Sequence, residues 1–93
     1  MIIRIAHRCG SFAEDKDIAR DIRQKEIMSA IERSEVIILD FTDVDSSTQS
    51  FMHALFSQAF QDLGESALTR FEFRNCSKAI QSLVTTVINY SLE

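Results

Sequence analysis

The most constraining feature of the sequence is an apolar run, Val-Ile-Ile-Leu-Asp-Phe, at residues 36–41. The run is rich in β-branched residues and too short for a helix, which is the pattern of a strand covered on both faces. Such strands belong to parallel sheets, because crossover helices cover the faces of those sheets. The run therefore predicts an α/β domain in which this segment is the central strand.

Hydrophobic periodicity places the other elements on either side of that strand. Two further strands are predicted at residues 2–6 and 69–74, and three helices at residues 15–33, 48–63 and 76–91. The order β-α-β-α-β-α predicts a small, mainly parallel sheet of three to four strands with crossover helices. A fourth strand would have to come from residues 7–14.

Four local patterns refine this assignment. Phe71 and Phe73 alternate with charged residues, as in a half-exposed edge strand. Gly64 is a natural stop for the second helix. In the first helix, Arg23 and Glu26 project from the apolar stripe, and their i, i+3 spacing allows an ion pair. We interpret them as a helix edge with partly solvated stems, and the alternative is a functional polar patch. For the third helix, the N-cap candidates are Asn75 and Ser77.

Composition and charge exclude several classes of protein. With 93 residues, 45% of them apolar, the chain has material for one core, and we expect one domain over residues 1–93. A net charge of −4 argues against a nucleic-acid partner, which requires clustered Lys and Arg. No apolar run approaches the roughly 18 residues of a membrane span, so we expect a cytoplasmic protein without membrane contact. Cys9 and Cys76 lack metal-ligand spacing, so we expect reduced thiols and no cofactor.

Chemistry in a parallel sheet gathers beyond the carboxyl ends of the strands, which selects residues 40–50. This segment holds three carboxylates and five hydroxyls. The carboxylates of Asp40, Asp43 and Asp45 suggest a Mg²⁺-dependent enzyme, although the Gly and closing Glu of a calcium loop are missing. The alternative is that the hydroxyls carry the function.

The hydroxyls cluster where the second helix begins. Ser46, Ser47 and Thr48 precede the helix and Ser50 lies in its first turn. One of them is explained as an N-cap, which stabilises a helix by about 1 kcal/mol. A phosphate on another would meet the positive end of the helix dipole and free backbone N–H groups. The excess over a single cap therefore indicates a modification site.

A set of residues for nucleophilic catalysis is not evident. The serines lack a nucleophile elbow, and neither His7 nor His53 has an orienting partner in the sequence. Cys76 stands at a predicted helix start, where a thiol pKa can be lowered, but apolar packing is the alternative for such a residue.

Residues 36–44, the Ser-rich segment after them and the pair Ser50-Phe51 together resemble a known family, the STAS-like domain of unknown function found in small bacterial proteins. The segment Phe-Glu-Phe-Arg-Asn at residues 71–75, followed by an Ile/Val-rich helix, fits the same pattern. The resemblance extends over residues 17–90 and implies a STAS-like fold.

That family is similar in turn to STAS domains such as anti-sigma-factor antagonists, which bind a kinase-like ATPase and are switched by serine phosphorylation. Their acceptor lies in a D-S-S-G stretch at a helix start. Aligned on the strand, this stretch corresponds here to Thr48, Gln49, Ser50 and Phe51. The resemblance therefore implies Ser50 as the phosphorylation candidate, with Ser46 and Ser47 as alternatives in the loop.

The leading hypothesis is a non-catalytic regulatory module that binds a partner protein, such as a kinase-like ATPase or an anti-sigma-type regulator. The expected partner-binding residues are Asp43, Asp45, Thr48, Gln49, Ser50 and His53. Two alternatives stay open: the Mg²⁺-dependent enzyme using Asp40, Asp43 and Asp45, and a structural subunit that only oligomerises. A homodimer that covers an exposed sheet edge also stays open.

Overall fold

The structure is a computed structural model that describes residues 1–93. It contains five strands, β1 (Ile2–Arg4), β2 (Phe12–Ala13), β3 (Ile37–Asp40), β4 (Ser46–Ser47) and β5 (Phe71–Arg74). Three of them form a parallel sheet in the order β1-β3-β5, which confirms the apolar run as the central strand. The other two form a separate parallel pair.

The chain also forms three long helices and two single-turn helices. Helices α2 (residues 16–32) and α3 (residues 49–63) each contain a π-helical segment, at Arg23–Ile27 and His53–Ser57. The remaining helices are α1 (Ala6–Cys9), α4 (Ala67–Arg70) and α5 (Lys78–Ser91). Asp15 caps α2, Thr48 caps α3 and Ser77 caps α5, each with a side-chain oxygen that accepts a backbone N–H. None of the helices is long and apolar enough to cross a bilayer.

The sheet is covered on one face only. In β3, Ile37 and Leu39 are fully buried, whereas Ile38 and Asp40 are half-exposed. The prediction that this strand is covered on both faces is therefore wrong. Right-handed crossovers that step in one direction along the order β1-β3-β5 place their helices on the same side of the sheet. The opposite face keeps the half-exposed Ile38 together with the exposed Ile2.

An aromatic seam joins α3 to β5. Phe56 and Phe60 of α3 are fully buried, and their rings lie against Phe71 and Phe73 of β5. The ring centroids of Phe56 and Phe73 are 5.1 Å apart, and those of Phe60 and Phe71 are 5.2 Å apart. Such aromatic pairs stabilise a protein by about 0.5–1.5 kcal/mol beyond their area burial. The predicted shared face of Phe71 and Phe73 is confirmed.

Residues 7–14 do contribute a strand. Phe12 and Ala13 form β2, which pairs in parallel with Ser46 and Ser47 of β4. The preceding Gly10 has a φ of 70°, a left-handed value that glycine adopts without strain, and it ends the single turn α1. The first strand is correspondingly shorter than predicted. Ser46 and Ser47, expected in a loop, are instead paired to a neighbouring strand.

The start of β5 also differs from the prediction. Thr69 and Arg70 belong to the helical turn α4, so the strand begins only at Phe71. The guanidinium of Arg70 donates to the carbonyl oxygens of Ile31 and Glu35, both at 3.2 Å. These bonds tie the turn to the last turn of α2 and to the segment that follows it.

Phe56→Ala should lower the free energy of unfolding by about 4 kcal/mol, because the seam loses a fully buried ring and a cavity remains. Urea unfolding followed by circular dichroism measures this change. The control is Leu68→Ala, whose side chain is 53% exposed and whose loss should stay within about 0.5 kcal/mol. Equal losses for the two variants would show that the seam does not hold α3 on the sheet.

Candidate functional site

The N-terminus of α3 sorts the clustered hydroxyls into different roles. Thr48 is the N-cap, and its Oγ1 accepts the N–H of Phe51 at 3.1 Å. The Oγ of Ser47 donates to the carbonyl oxygen of Ala13 at 2.8 Å, and half-buried Ser46 lies in β4. Ser50 is exposed and its hydroxyl makes no hydrogen bond within the chain. Ser50 is therefore the exposed hydroxyl residue of this cluster, whereas Ser46, Ser47 and Thr48 are half-buried.

Ser50 lies in a cleft of about 480 Å³ between the start of α2, the first turns of α3 and the end of α5. The cleft, which we call the basic cleft, is lined by Lys16, Arg20, Arg23, Gln49, Ser50, His53, Ala54 and Tyr90. It contains three of the ten Lys and Arg residues of the chain and none of its fourteen Asp and Glu residues. A protein with a net charge of −4 thus concentrates positive charge beside Ser50.

The ion pair that the spacing of Arg23 and Glu26 allows within α2 does not form. The Nη1 of Arg23 donates to the backbone carbonyl of Ala54 in α3 at 3.3 Å. Glu26 instead accepts from the Nη2 of Arg8 in α1 at 2.6 Å. The two side chains separate because Arg23 reaches toward α3 while Glu26 reaches toward α1. Arg23 consequently belongs to the basic cleft.

A histidine and a tyrosine close one side of the cleft. The Nδ1 of His53 and the hydroxyl of Tyr90 are 2.8 Å apart, and the ring centroids are separated by 5.7 Å. His53 therefore has a partner that the sequence did not reveal, and this partner comes from the last turn of α5. This contact holds the His53 side chain against Tyr90 at one side of the basic cleft.

Asp40 organises the carboxyl end of the sheet. Its Oδ1 accepts the backbone N–H of Thr42 at 3.0 Å, the Thr42 hydroxyl at 2.7 Å and the Nδ2 of Asn75 at 3.0 Å. The bond from the Thr42 hydroxyl, followed by those from Asn75 and the Thr42 backbone, lowers the pKa of Asp40 from 3.8 to about 2. The carboxylate joins the loop after β3 to the residues that precede α5. Asp40 therefore serves the structure of this loop.

The other two carboxylates of the segment lie outside the basic cleft. Asp43 has a φ of 66° and lines a separate cavity of about 290 Å³ with Asp40 and His7. Asp45 is exposed, and its backbone carbonyl accepts the hydroxyl of Ser77 at 3.1 Å. No group of three or more His, Cys, Asp or Glu residues could hold a metal ion. The structure thus does not assemble the magnesium site considered for Asp40, Asp43 and Asp45.

Both thiols are free and half-buried. Burial raises the pKa of Cys9, and the nearby Asp15 carboxylate raises it further. Burial and then the Asp40 carboxylate likewise raise the pKa of Cys76. The considered lowering of the Cys76 pKa is wrong, because this residue precedes the Ser77 cap and packs against the core.

The expected partner-binding residues are therefore only partly together. Gln49, Ser50 and His53 line the basic cleft, Thr48 caps the helix below them, and Asp43 and Asp45 lie elsewhere. The sequence interpretation missed the three cationic residues and Tyr90. The spacing of residues 16, 20 and 23 is i, i+4, i+7, so the sequence could have predicted that they share one helix face. Its position opposite Ser50 depends on tertiary packing.

Comparison with protein families gives one match. Residues 19–81 match the family model described as a STAS-like domain of unknown function (DUF4325). The matched residues run from α2 through β3, α3 and β5 into the start of α5. The comparisons with curated proteins and with solved structures found no match.

The Asp40 bonds predict a pH dependence of stability. The pKa of Asp40 is about 2 in the folded chain and 3.8 ordinarily. The ionised carboxylate therefore contributes its full stabilisation of the folded state above pH 4, and this stabilisation declines as the pH falls toward 2. Asp40→Asn should remove this decline and cost about 1–2 kcal/mol at pH 7, since hydrogen bonds to a charged group are lost. Urea unfolding between pH 2 and pH 7 compares the two proteins. An unchanged pH slope in the variant would contradict the assignment.

Proposed function

The chain belongs to the family of STAS-like domains of unknown function, and from that premise we propose that it is a non-catalytic regulatory module that binds a partner protein through its basic cleft. One observation carries the proposal: Ser50, exposed and unbonded within the chain, shares a cleft with three cationic side chains and no carboxylate. A surface of concentrated positive charge is suited to binding a partner protein, and a phosphate on the adjacent free hydroxyl would change that charge and with it the binding.

The proposed partner is a kinase-like ATPase or an anti-sigma-type regulator, as the sequence resemblance implies. The proposed modification is phosphorylation of Ser50 by that partner. The Oγ of Ser50 attacks the γ-phosphorus of ATP bound to the partner, ADP leaves, and the hydroxyl proton is released. The phosphate adds nearly two negative charges at pH 7. Because ATP is the phosphoryl donor, the proposal places the exchange in the cytoplasm.

The structure of the α3 start supports Ser50 over its neighbours as the acceptor. A phosphate on Ser50 would lie near the N-terminus of a helix of residues 49–63, where the dipole favours negative charge. Modification of Thr48 would instead remove the cap, and modification of Ser47 would break its bond to Ala13. Ser46 makes no side-chain hydrogen bond either, but it is half-buried in β4, so the exposed Ser50 is the favoured position for a phosphate.

The competing functions have less support. Asp45 lies outside the cavity that Asp40 and Asp43 line, so the three carboxylates of a magnesium enzyme are not brought together. Both thiols have raised pKa values, which disfavours a thiolate nucleophile. Oligomerisation through a sheet edge has open strands available in β1 and β5, and the homodimer stays a prediction.

A photo-crosslinking amino acid, p-benzoylphenylalanine, at Gln49 tests the partner contact in cells that naturally make the protein. We expect one dominant protein adduct from Gln49, identified by mass spectrometry, and a loss of at least about tenfold when Ser50→Asp is added. The matched control is Gln24, an exposed glutamine on α2 outside the basic cleft.

The same adducts from both positions, or none from Gln49, would contradict the proposed contact. The phosphorylation is tested separately by incubating the identified partner with MgATP and the wild-type chain. One added phosphate in the intact mass, absent from Ser50→Ala, supports Ser50 as the acceptor. A phosphate retained in Ser50→Ala would place the acceptor elsewhere.

A further inference from the structure

Some of the positive charges in the basic cleft have no salt-bridge partner within the chain or only a weak one. Lys16 forms no salt bridge, and Arg20 contacts only Asp17, at 3.2 Å. The side chains of Arg20 and Asp17 are 52% and 87% exposed, so water screens this pair strongly. Two cations at the mouth of the cleft are therefore available to an incoming anion.

Arg23 adds a third cation whose position is set in advance. Its bond to the Ala54 carbonyl spans the two π-helical segments, since Arg23 opens the one in α2 and Ala54 lies within the one in α3. Single π-helical turns inside α-helices occur frequently at functional sites. The half-buried guanidinium is held between two packed helices, which reduces the entropy that a bound anion would cost.

The shape and lining of the cleft favour a peptide over an enclosed small molecule. Small-molecule pockets bury most of their ligand and are lined mainly by apolar side chains. This cleft is open to solvent, and only Ala54 and Tyr90 of its eight lining residues are hydrophobic. An extended chain that carries carboxylates can lie along such a surface and meet the cations in turn.

Resting on the proposed function, we propose that the partner enters the basic cleft with an acidic segment whose Asp or Glu carboxylates pair with Lys16, Arg20 and Arg23. A phosphate on Ser50 would occupy the same cations from within the chain. Phosphorylation then releases the partner by competition for charge, with no change of fold required. This assigns the chemistry of the partner and the physical basis of the switch.

A fluorescein-labelled hexaglutamate peptide is the probe, and fluorescence anisotropy at low salt measures its affinity for the purified chain. We expect saturable binding that weakens as salt is added, because screening reduces the attraction between these exposed charges. Lys16→Glu and Arg20→Glu should each weaken binding about tenfold, and Ser50→Asp should weaken it in the same direction. A hexaglutamine peptide should not bind.

Lys78→Glu is the matched control for Lys16→Glu. Both lysines are exposed, form no salt bridge and occupy the first position of a helix, but Lys78 lies outside the basic cleft. Its reversal changes the net charge by the same amount. When the two variants are compared at about 0.1 M salt, Lys78→Glu should alter affinity by less than about twofold, because the Debye length there is only about 10 Å. Circular dichroism of each variant establishes that a loss of binding is not a loss of folding.

Three results would overturn this inference. The first is an absence of saturable binding, and the second is equal weakening by Lys78→Glu and Lys16→Glu. The third concerns competition with the labelled peptide. If inorganic phosphate displaces it at lower concentrations than unlabelled hexaglutamate does, the cleft is a site for small anions. If the peptide fails while crosslinking at Gln49 still identifies a partner, the proposed function survives and only the acidic chemistry is wrong.

Discussion

The contact between α3 and β5 determines the position of the helix whose first turns line the basic cleft. Phe56 and Phe60 are fully buried against the rings of Phe71 and Phe73, so α3 cannot slide or rotate without opening the core. The first turns of the same helix carry Gln49, Ser50 and His53. A hydrophobic seam at one end of α3 therefore holds a polar surface in place at the other.

The basic cleft follows from that placement together with the two helices beside α3. Arg23 of α2 bonds to the Ala54 carbonyl, and Tyr90 of α5 bonds to His53. The cleft is thus assembled from segments far apart in the sequence, around a helix start that Thr48 caps. Asp40 acts on the neighbouring loop, where it joins Thr42 to Asn75. The polar groups that support the structure, such as Asp40 and Thr48, thus lie outside the lining of the basic cleft, although they are close in the sequence to exposed polar groups that form it.

Much of this arrangement was predictable because periodicity reports local burial. The apolar run at residues 36–41 identified the central strand, and the Ser50 region was selected by its position after that strand. The predicted cover on both faces of the strand was wrong because Ile38, although apolar, lies on the open face of the sheet. An apolar side chain does not by itself show that a helix covers it.

The charge pattern of the site was less predictable, because each side chain has more than one available partner. Glu26 had the right spacing to pair with Arg23 but pairs with Arg8, whose position depends on the single turn α1. The i, i+4, i+7 spacing of Lys16, Arg20 and Arg23 was visible in the sequence. That their face meets Ser50 depends on the packing of α2 against α3, which no local pattern encodes.

We infer that a charge on Ser50 interacts with the cations of the basic cleft, and the titration of a phosphate at this position measures that interaction directly. The chain is made with phosphoserine encoded at residue 50, and ³¹P NMR follows the phosphate as the pH is changed. A solvated phosphoserine has a second pKa of about 6. We predict a phosphate pKa clearly below that value in the wild-type background, and a return toward about 6 with Lys16→Glu. A phosphate pKa of about 6 or above, unchanged by Lys16→Glu, would contradict the account.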